Sequence, residues 1–104
     1  MNTYHLIPTD SHKSLYGNAT VIENDNGVIE LMSYSTVVAA ITPDHVFHRT
    51  WSGWSATTGR HIASFAQHYG YGRMNKAAYC SLPYEGIYSI LNHWTKFQRL
   101  NQDF

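Results

Sequence analysis

The sequence predicts an α+β domain in which an antiparallel sheet from the N-terminal half is packed by helices from the C-terminal half. Short β-branched runs bounded by turn residues fill the chain up to residue 50, and helical periodicity begins only after it. Strands followed by helices indicate this class rather than a βαβ fold. A length of 104 residues suits one domain. We therefore expect residues 1–104 to form one unit of four to five strands and two to three helices.

The predicted strands are joined by recognisable turns. Asn26-Gly27 is a strong hairpin signal because both residues tolerate positive φ, and Pro43 sets a second turn. The strand before Pro43 is apolar on both faces, which is typical of a central strand and requires something to cover the sheet. The predicted strands are Thr3–Ile7, Ala19–Glu23, Val28–Met32, Thr36–Ile41 and Val46–Thr50.

Three helices are predicted to follow, and we expect them to pack on one side of the sheet. Thr58–Tyr69 carries apolar residues spaced as one helical stripe. Hydroxyls at Ser55, Thr57 and Thr58 are candidate N-caps, and Gly70 supplies a left-handed end. Asn75–Ser81 is a candidate short helix. Pro83 introduces a longer one that runs to about Gln98, and its predicted buried stripe is Ile87, Ile90, Leu91 and Trp94.

Composition excludes several classes of protein. Apolar residues make up 43% of the chain and it carries eight Tyr at net charge zero, which is typical of a folded protein rather than a disordered one. Cys80 stands alone, so we expect no disulfide framework, and without a Cys/His cluster we expect no metal and no cofactor. The N-terminus lacks a signal-peptide pattern, and no stretch approaches the roughly 18 apolar residues of a membrane span. We expect a cytoplasmic protein that does not contact a membrane.

Charge is divided unevenly along the chain. Residues 1–44 carry five acids against one lysine, whereas the segment from His45 to Tyr84 carries no acid. That segment holds four cations, which are Arg49, Arg60, Arg73 and Lys76, together with four histidines. Two interpretations stay open: the cations form a basic surface, or they are dispersed around the domain.

Two short segments carry a resemblance to a known family. Ser33-Tyr34-Ser35-Thr36 and the segment Trp51–Phe65 match S-Y-x-T followed by W-x-G-W/Y-S-x-T-T-x-R/K-H-I-x-x-F. This pattern resembles an uncharacterised family of small proteins from bacteriophages and their bacterial hosts. The resemblance covers roughly residues 28–70. It implies a bacterial host cell as the setting and supplies no activity.

The segment around the first helix start has two interpretations. Free N–H groups, nearby hydroxyls and Arg60 in the first turn are suited to hold a phosphate or carboxylate. The simpler interpretation is that one hydroxyl caps the helix while Trp51 and Trp54 close the corner between sheet and helix. Neither Cys80 nor the histidines show a spacing that indicates catalysis or metal binding.

We therefore expect a non-enzymatic interaction protein. Its most concrete form is an anti-defence, anti-CRISPR-like inhibitor that binds a bacterial nuclease effector, a partner suggested by the resemblance. The alternative is a nucleic-acid-binding accessory protein that uses the basic, aromatic region 45–80, although a pI near 7.1 weighs against it. A small enzyme ranks third, and a homodimer is compatible with each. The predicted partner-binding residues are Arg49, Trp51, Trp54, Thr57, Thr58, Arg60, His61, Arg73 and Lys76.

Overall fold

The structure, a computed structural model, describes residues 2–6 and 18–102, with side chains up to residue 95. Five strands precede three helices, which confirms the predicted α+β class. Ile7, the end of the first predicted strand, lies outside the described residues. The elements are β1 (Asn2–His5), β2 (Ala19–Glu23), β3 (Ile29–Ser33), β4 (Thr36–Ile41), β5 (Phe47–Arg49), α1 (Ala56–His68), α2 (Lys76–Cys80) and α3 (Ile87–Gln102).

The strands form one antiparallel meander in the order β1-β2-β3-β4-β5. The predicted Asn-Gly hairpin joins β2 to β3. The Asn24 N–H donates to the Val28 carbonyl at 2.9 Å, and Gly27 adopts φ 91°, a conformation that glycine takes without steric cost. Consecutive strands are therefore neighbours throughout the sheet.

A β-bulge interrupts the pairing of β3 with β4. Leu31 pairs with Ala39 but Met32 pairs with Val37, so Val38 is left without a cross-strand partner. A bulge turns two successive side chains toward one face, and Val38 and Ala39 accordingly join the same core cluster. Alternation along this strand predicts Val37, Ala39 and Ile41 on one face and Val38 and Ala40 on the other, and this prediction is wrong for Val38.

Both faces of the sheet are covered, each by a different helix. On one face, Ile62 and Phe65 of α1 are fully buried in the main core cluster. On the other face, Ile90 of α3 packs with Val28 and Ala40. The expectation that all helices lie on one side is wrong. A sheet with two apolar faces exposes one of them unless both are covered, and α3 provides the second cover.

Helix α1 begins and ends at the predicted signals. The Ser55 hydroxyl accepts the Thr58 N–H at 3.1 Å, which makes Ser55 the N-cap. At the other end, Gly70 adopts φ 84° and the Tyr71 N–H reaches back to the Ala66 carbonyl at 2.8 Å. This is the Schellman arrangement, in which a left-handed glycine satisfies the last carbonyls of a helix.

Two glycines make room for the tryptophans at the corner between β5 and α1. A Cβ on Gly59 would overlap the Trp54 indole, and one on Gly53 would lie 2.7 Å from Cζ2 of Trp51. Real Cβ atoms do not approach other atoms so closely, so both positions require glycine in this packing. The glycines of the segment Trp51–Phe65 are therefore explained by packing.

Helix α3 begins four residues later than Pro83 suggested. The backbone of residues 82–86 instead runs beside β5, where Tyr84 forms a parallel bridge with Arg49 and the Glu85 N–H donates to the Arg49 carbonyl at 2.9 Å. The edge of β5 thus satisfies backbone groups that a helical turn would otherwise pair. This detour carries Glu85 to the sheet before the helix starts.

Candidate functional site

Arg49, a predicted partner-binding residue, is engaged inside the molecule. Its Nε donates to the Trp51 carbonyl at 3.0 Å, and its terminal nitrogens donate to three more carbonyls. These acceptors are Cys80 at 3.2 Å, Leu82 at 3.2 Å and Ser52 at 3.0 Å. The guanidinium therefore ties the corner after β5 to the segment after α2. A cation held by four carbonyls offers little to a partner.

The ring beneath this guanidinium belongs to Tyr79, which is fully buried. Arg49 Cζ lies 5.4 Å from the ring centroid, within cation–π range. The Tyr79 hydroxyl donates toward the Val38 carbonyl at 2.7 Å and the Trp51 carbonyl at 3.0 Å. Burial raises the pKa of Tyr79 to about 12, with the nearby guanidinium acting in the opposite direction. The phenol therefore stays protonated and bonded to the bulge carbonyl at neutral pH.

The two predicted aromatic contacts of the site are half-buried. Trp51 and Trp54 pack against the main core cluster, and the Trp54 ring lies 5.6 Å from that of Tyr79. Each indole lies against a glycine of the corner. The structure places both tryptophans where the simpler interpretation of the segment expected them, as parts of the packed corner.

The two segments that carry the resemblance meet around His61. Ser33 Oγ lies 2.7 Å from His61 Nδ1 and 3.0 Å from Thr58 Oγ1, and all three side chains are buried. Tyr34 covers the imidazole at a centroid distance of 5.7 Å, and its backbone adopts φ 57°, which is uncommon for tyrosine. Thr58 and His61, predicted to face a partner, thus form a buried polar cluster with the β3–β4 turn.

One polar atom of this cluster has no hydrogen-bond partner among the described residues. His61 Nε2 is buried and makes no hydrogen bond within the part of the chain that the structure describes. Burial lowers the pKa of His61 below its ordinary value because the imidazolium would be poorly solvated there. The neutral ring is therefore the form that the folded protein holds.

The remaining predicted cations are exposed and lie near one groove. Among the described residues, the side chains of Arg60, Arg73 and Lys76 make no hydrogen bond or ion pair. Arg73 lines a shallow groove of about 210 Å³ with Ala63, Met74 and Asn75. Arg60 lies one turn before Ala63 on α1, and Lys76 follows Asn75. Thr57, on the same helix as Arg60, is half-buried. We call the Ala63, Met74, Arg60, Arg73 and Lys76 surface the basic groove.

Sequence reasoning missed a second surface, which we call the acidic cavity. It has a volume of about 390 Å³, lies where α3 crosses β5, and is lined by Asp44, His48, Glu85, Ser89, Ile90, His93 and Trp94. His48 Nδ1 lies 2.6 Å from Glu85 Oε2, and His48 Nε2 lies 3.0 Å from the Thr42 hydroxyl. No residue spacing indicates this cavity, because its two halves come from segments that lie far apart along the chain, around Asp44 and around Glu85.

The described residues show neither a metal cluster nor a spanning helix. Among residues 2–6 and 18–95, no group of three or more His, Cys, Asp or Glu side chains is arranged to hold a metal ion. In the part of the chain that the structure describes, no helix is both long and apolar enough to cross a membrane.

The architecture is thus a five-stranded antiparallel meander with helices on both faces. The family model described as "Family of unknown function (DUF8033)" matches residues 4–81. The chain belongs to this family, which confirms that it is a member of an uncharacterised family. The match ends before α3, so α3 and the half of the acidic cavity that it supplies lie outside the matched residues. No curated protein and no solved structure matches the chain.

Replacing Arg49 tests whether its hydrogen bonds stabilise the fold, in contrast to the exposed Arg60. We expect Arg49→Met to lower the free energy of unfolding by about 2–4 kcal/mol, because the charged hydrogen bonds to four carbonyls are lost. The matched variant Arg60→Met should change it by less than about 0.5 kcal/mol, since Arg60 is exposed and has no ion-pair partner among the described residues. Urea unfolding followed by circular dichroism measures both. Equal effects of the two substitutions would contradict the assignment.

The buried His61 gives the protein a defined response to acid. The unfolded chain takes up a proton at the ordinary histidine pKa, whereas the folded chain resists it, so the contribution of His61 is present above about pH 6.5 and lost as the pH falls below it. We expect the melting temperature to fall between pH 7 and pH 5. His61→Gln should flatten this slope, and the exposed control His68→Gln should not. An unchanged slope in His61→Gln would show that His61 does not govern it.

Proposed function

We propose that this protein is a binding protein that uses its basic groove to dock onto an acidic surface of another protein. The observation that carries the proposal is the exposure of Arg60, Arg73 and Lys76, with no partner for the three charges among the described residues, and with Arg73 lining the groove beside Ala63 and Met74. Unpaired cations around an apolar floor suit an acidic segment that also presents an apolar side chain. Arginine and methionine are both enriched at protein interfaces.

The packing of Trp51, Trp54 and Tyr71 favours a protein partner over the nucleic-acid alternative. Binding to single-stranded nucleic acid combines cations with exposed rings on which bases stack. Trp51 and Trp54 pack against glycines and the core, and the hydroxyl of the half-buried Tyr71 donates to the His45 carbonyl at 2.8 Å. The cations of the basic groove are therefore not accompanied by free stacking surfaces from these three rings. The alternative remains an outcome of the experiment below.

The most concrete form of the proposal is an anti-defence, anti-CRISPR-like inhibitor that binds a nuclease effector in the bacterial cytoplasm. Its support is the resemblance of Ser33–Thr36 and Trp51–Phe65 to small proteins of bacteriophages and their hosts. The contacts of Ser33 with Thr58 and His61 join these two segments into one unit. That unit fixes the start of α1, from which Arg60 projects.

A charge-reversed variant tests the proposed surface. We expect immobilised wild-type protein to capture a specific protein from nuclease-treated bacterial lysate, and the variant with Arg60→Glu, Arg73→Glu and Lys76→Glu to lose it. The control with Lys13→Glu, Lys96→Glu and Arg99→Glu carries the same net charge and should retain it. The captured protein is then purified, and its binding and its nuclease activity are measured with each variant.

Two outcomes of this experiment would count against the proposal. Retention of the same partner by the charge-reversed variant would exclude the basic groove as the contact surface. Capture that disappears entirely on nuclease treatment, with a steep dependence on salt, would favour the nucleic-acid alternative instead. Melting curves of all variants establish that each is folded before the comparison is made.

A further inference from the structure

The acidic cavity has a polar wall that is assembled before any ligand arrives. Thr42 is only 2% exposed, and its hydroxyl donates to Asp44 Oδ1. The Thr42 hydroxyl oxygen also lies 3.0 Å from His48 Nε2, and His48 Nδ1 lies 2.6 Å from Glu85 Oε2. One buried hydroxyl and one imidazole therefore hold two carboxylates in place. Such preorganisation lowers the cost of ordering side chains when a ligand binds.

The carboxylates of this wall favour binding of a cation. The hydrogen bond from Thr42 holds the pKa of Asp44 below its ordinary value, so the carboxylate is ionised at neutral pH. With the two lining histidines, His48 and His93, in their neutral form, Asp44 and Glu85 give the cavity a net negative charge. None of the described residues that line the cavity is a lysine or an arginine. Arg49, adjacent to His48 in sequence, is occupied by its four carbonyls.

The shape and the remaining lining favour a planar organic cation with an apolar stem. The volume of about 390 Å³ lies within the usual range of small-ligand pockets, which begins at about 300 Å³. Trp94 contributes an aromatic wall, on which a guanidinium stacks more readily than an ammonium does. Ile90 gives an apolar surface for methylene groups. Carboxylates match the donor geometry of a guanidinium, and the described side chains do not form a three-ligand metal site.

We propose that the acidic cavity between α3 and the β4–β5 turn is a binding site for a guanidinium group, with Asp44 and Glu85 accepting its hydrogen bonds and Trp94 lying against its plane. The group comes either from a free guanidino compound or from an arginine side chain of a second protein. The site is separate from the basic groove, so a negative result for one proposal does not bear on the other.

Titrations of the full chain with three probes test this site. The probes are agmatine, N-acetyl-arginine amide and the uncharged isostere N-acetyl-citrulline amide, followed by calorimetry and by backbone amide shifts. We expect saturable binding of the two guanidinium probes at millimolar concentration or below, with shifts at His48, Ser89 and His93. The citrulline probe should bind at least about tenfold more weakly because it lacks the charge. Tighter binding of agmatine points to a free compound, and tighter binding of the peptide analogue points to a protein side chain.

Isosteric variants complete the test. Asp44→Asn and Glu85→Gln keep an acceptor for Thr42 and for His48, and each should weaken binding of the guanidinium probes by about tenfold. The control Asp25→Asn removes a carboxylate from the β2–β3 turn and should leave the affinity unchanged. Equal affinity for the citrulline probe, no saturable binding, or unchanged affinity in both cavity variants would overturn the proposal.

Discussion

The rest of the structure depends on the contact between the Arg49 guanidinium and the Tyr79 ring. Arg49 bonds to carbonyls at the C-terminal end of α2, at Cys80 and Leu82, and to carbonyls at the corner after β5, and the Tyr79 hydroxyl donates to the Val38 carbonyl at the β-bulge. The Val38 carbonyl accepts the Thr50 N–H at 3.3 Å as well as the Tyr79 hydroxyl at 2.7 Å, and the carbonyls of Trp51, Ser52, Cys80 and Leu82 accept side-chain donors. This pair thus ties both the corner and the segment before α3 to the sheet edge, in addition to the backbone contacts of Tyr84 and Glu85 with Arg49.

Both candidate surfaces follow from this arrangement. The segment after α1 leads through Arg73 and Lys76 into α2, whose end Arg49 holds, so the basic groove is built on a fixed support. The segment held by Arg49 also places Glu85 next to His48. Helix α3 begins after this segment and packs on Ala40, on the opposite face of the sheet. The net charge of the chain is zero, yet the basic groove and the acidic cavity carry charges of opposite sign. The distribution of the charges, and not their sum, distinguishes these two surfaces.

Local signals in the sequence predicted most of the fold. Ala19–Glu23 and Thr36–Ile41 are strands with the predicted bounds, and Ser55 and Gly70 end α1 as their chemistry suggests. The bulge at Val38 was not predictable from alternation because it depends on long-range donors such as Tyr79. The helix start predicted at Pro83 is wrong because the backbone after Pro83 pairs with the edge of β5 instead of forming a helical turn.

The candidate site was harder to predict because residue type does not reveal whether a side chain is already engaged. Arg49 and Arg60 are equivalent in sequence terms, yet one is bonded to four carbonyls and the other is free among the described residues. The meeting of His48 with Glu85 required knowing that α3 crosses the second face of the sheet. That crossing follows from the two apolar faces of β4, which the sequence does show.

Amide hydrogen exchange tests most directly whether Arg49 holds these segments. In the wild type the Tyr79 N–H donates to the Asn75 carbonyl and the Glu85 N–H to the Arg49 carbonyl, both at 2.9 Å. The account predicts that Arg49→Met accelerates exchange at Tyr79 and Glu85 by about tenfold or more, through local opening, while the Asn24 amide of the distant hairpin changes little. Wild-type exchange rates at Tyr79 and Glu85 in this variant, or equal acceleration at Asn24, would contradict it.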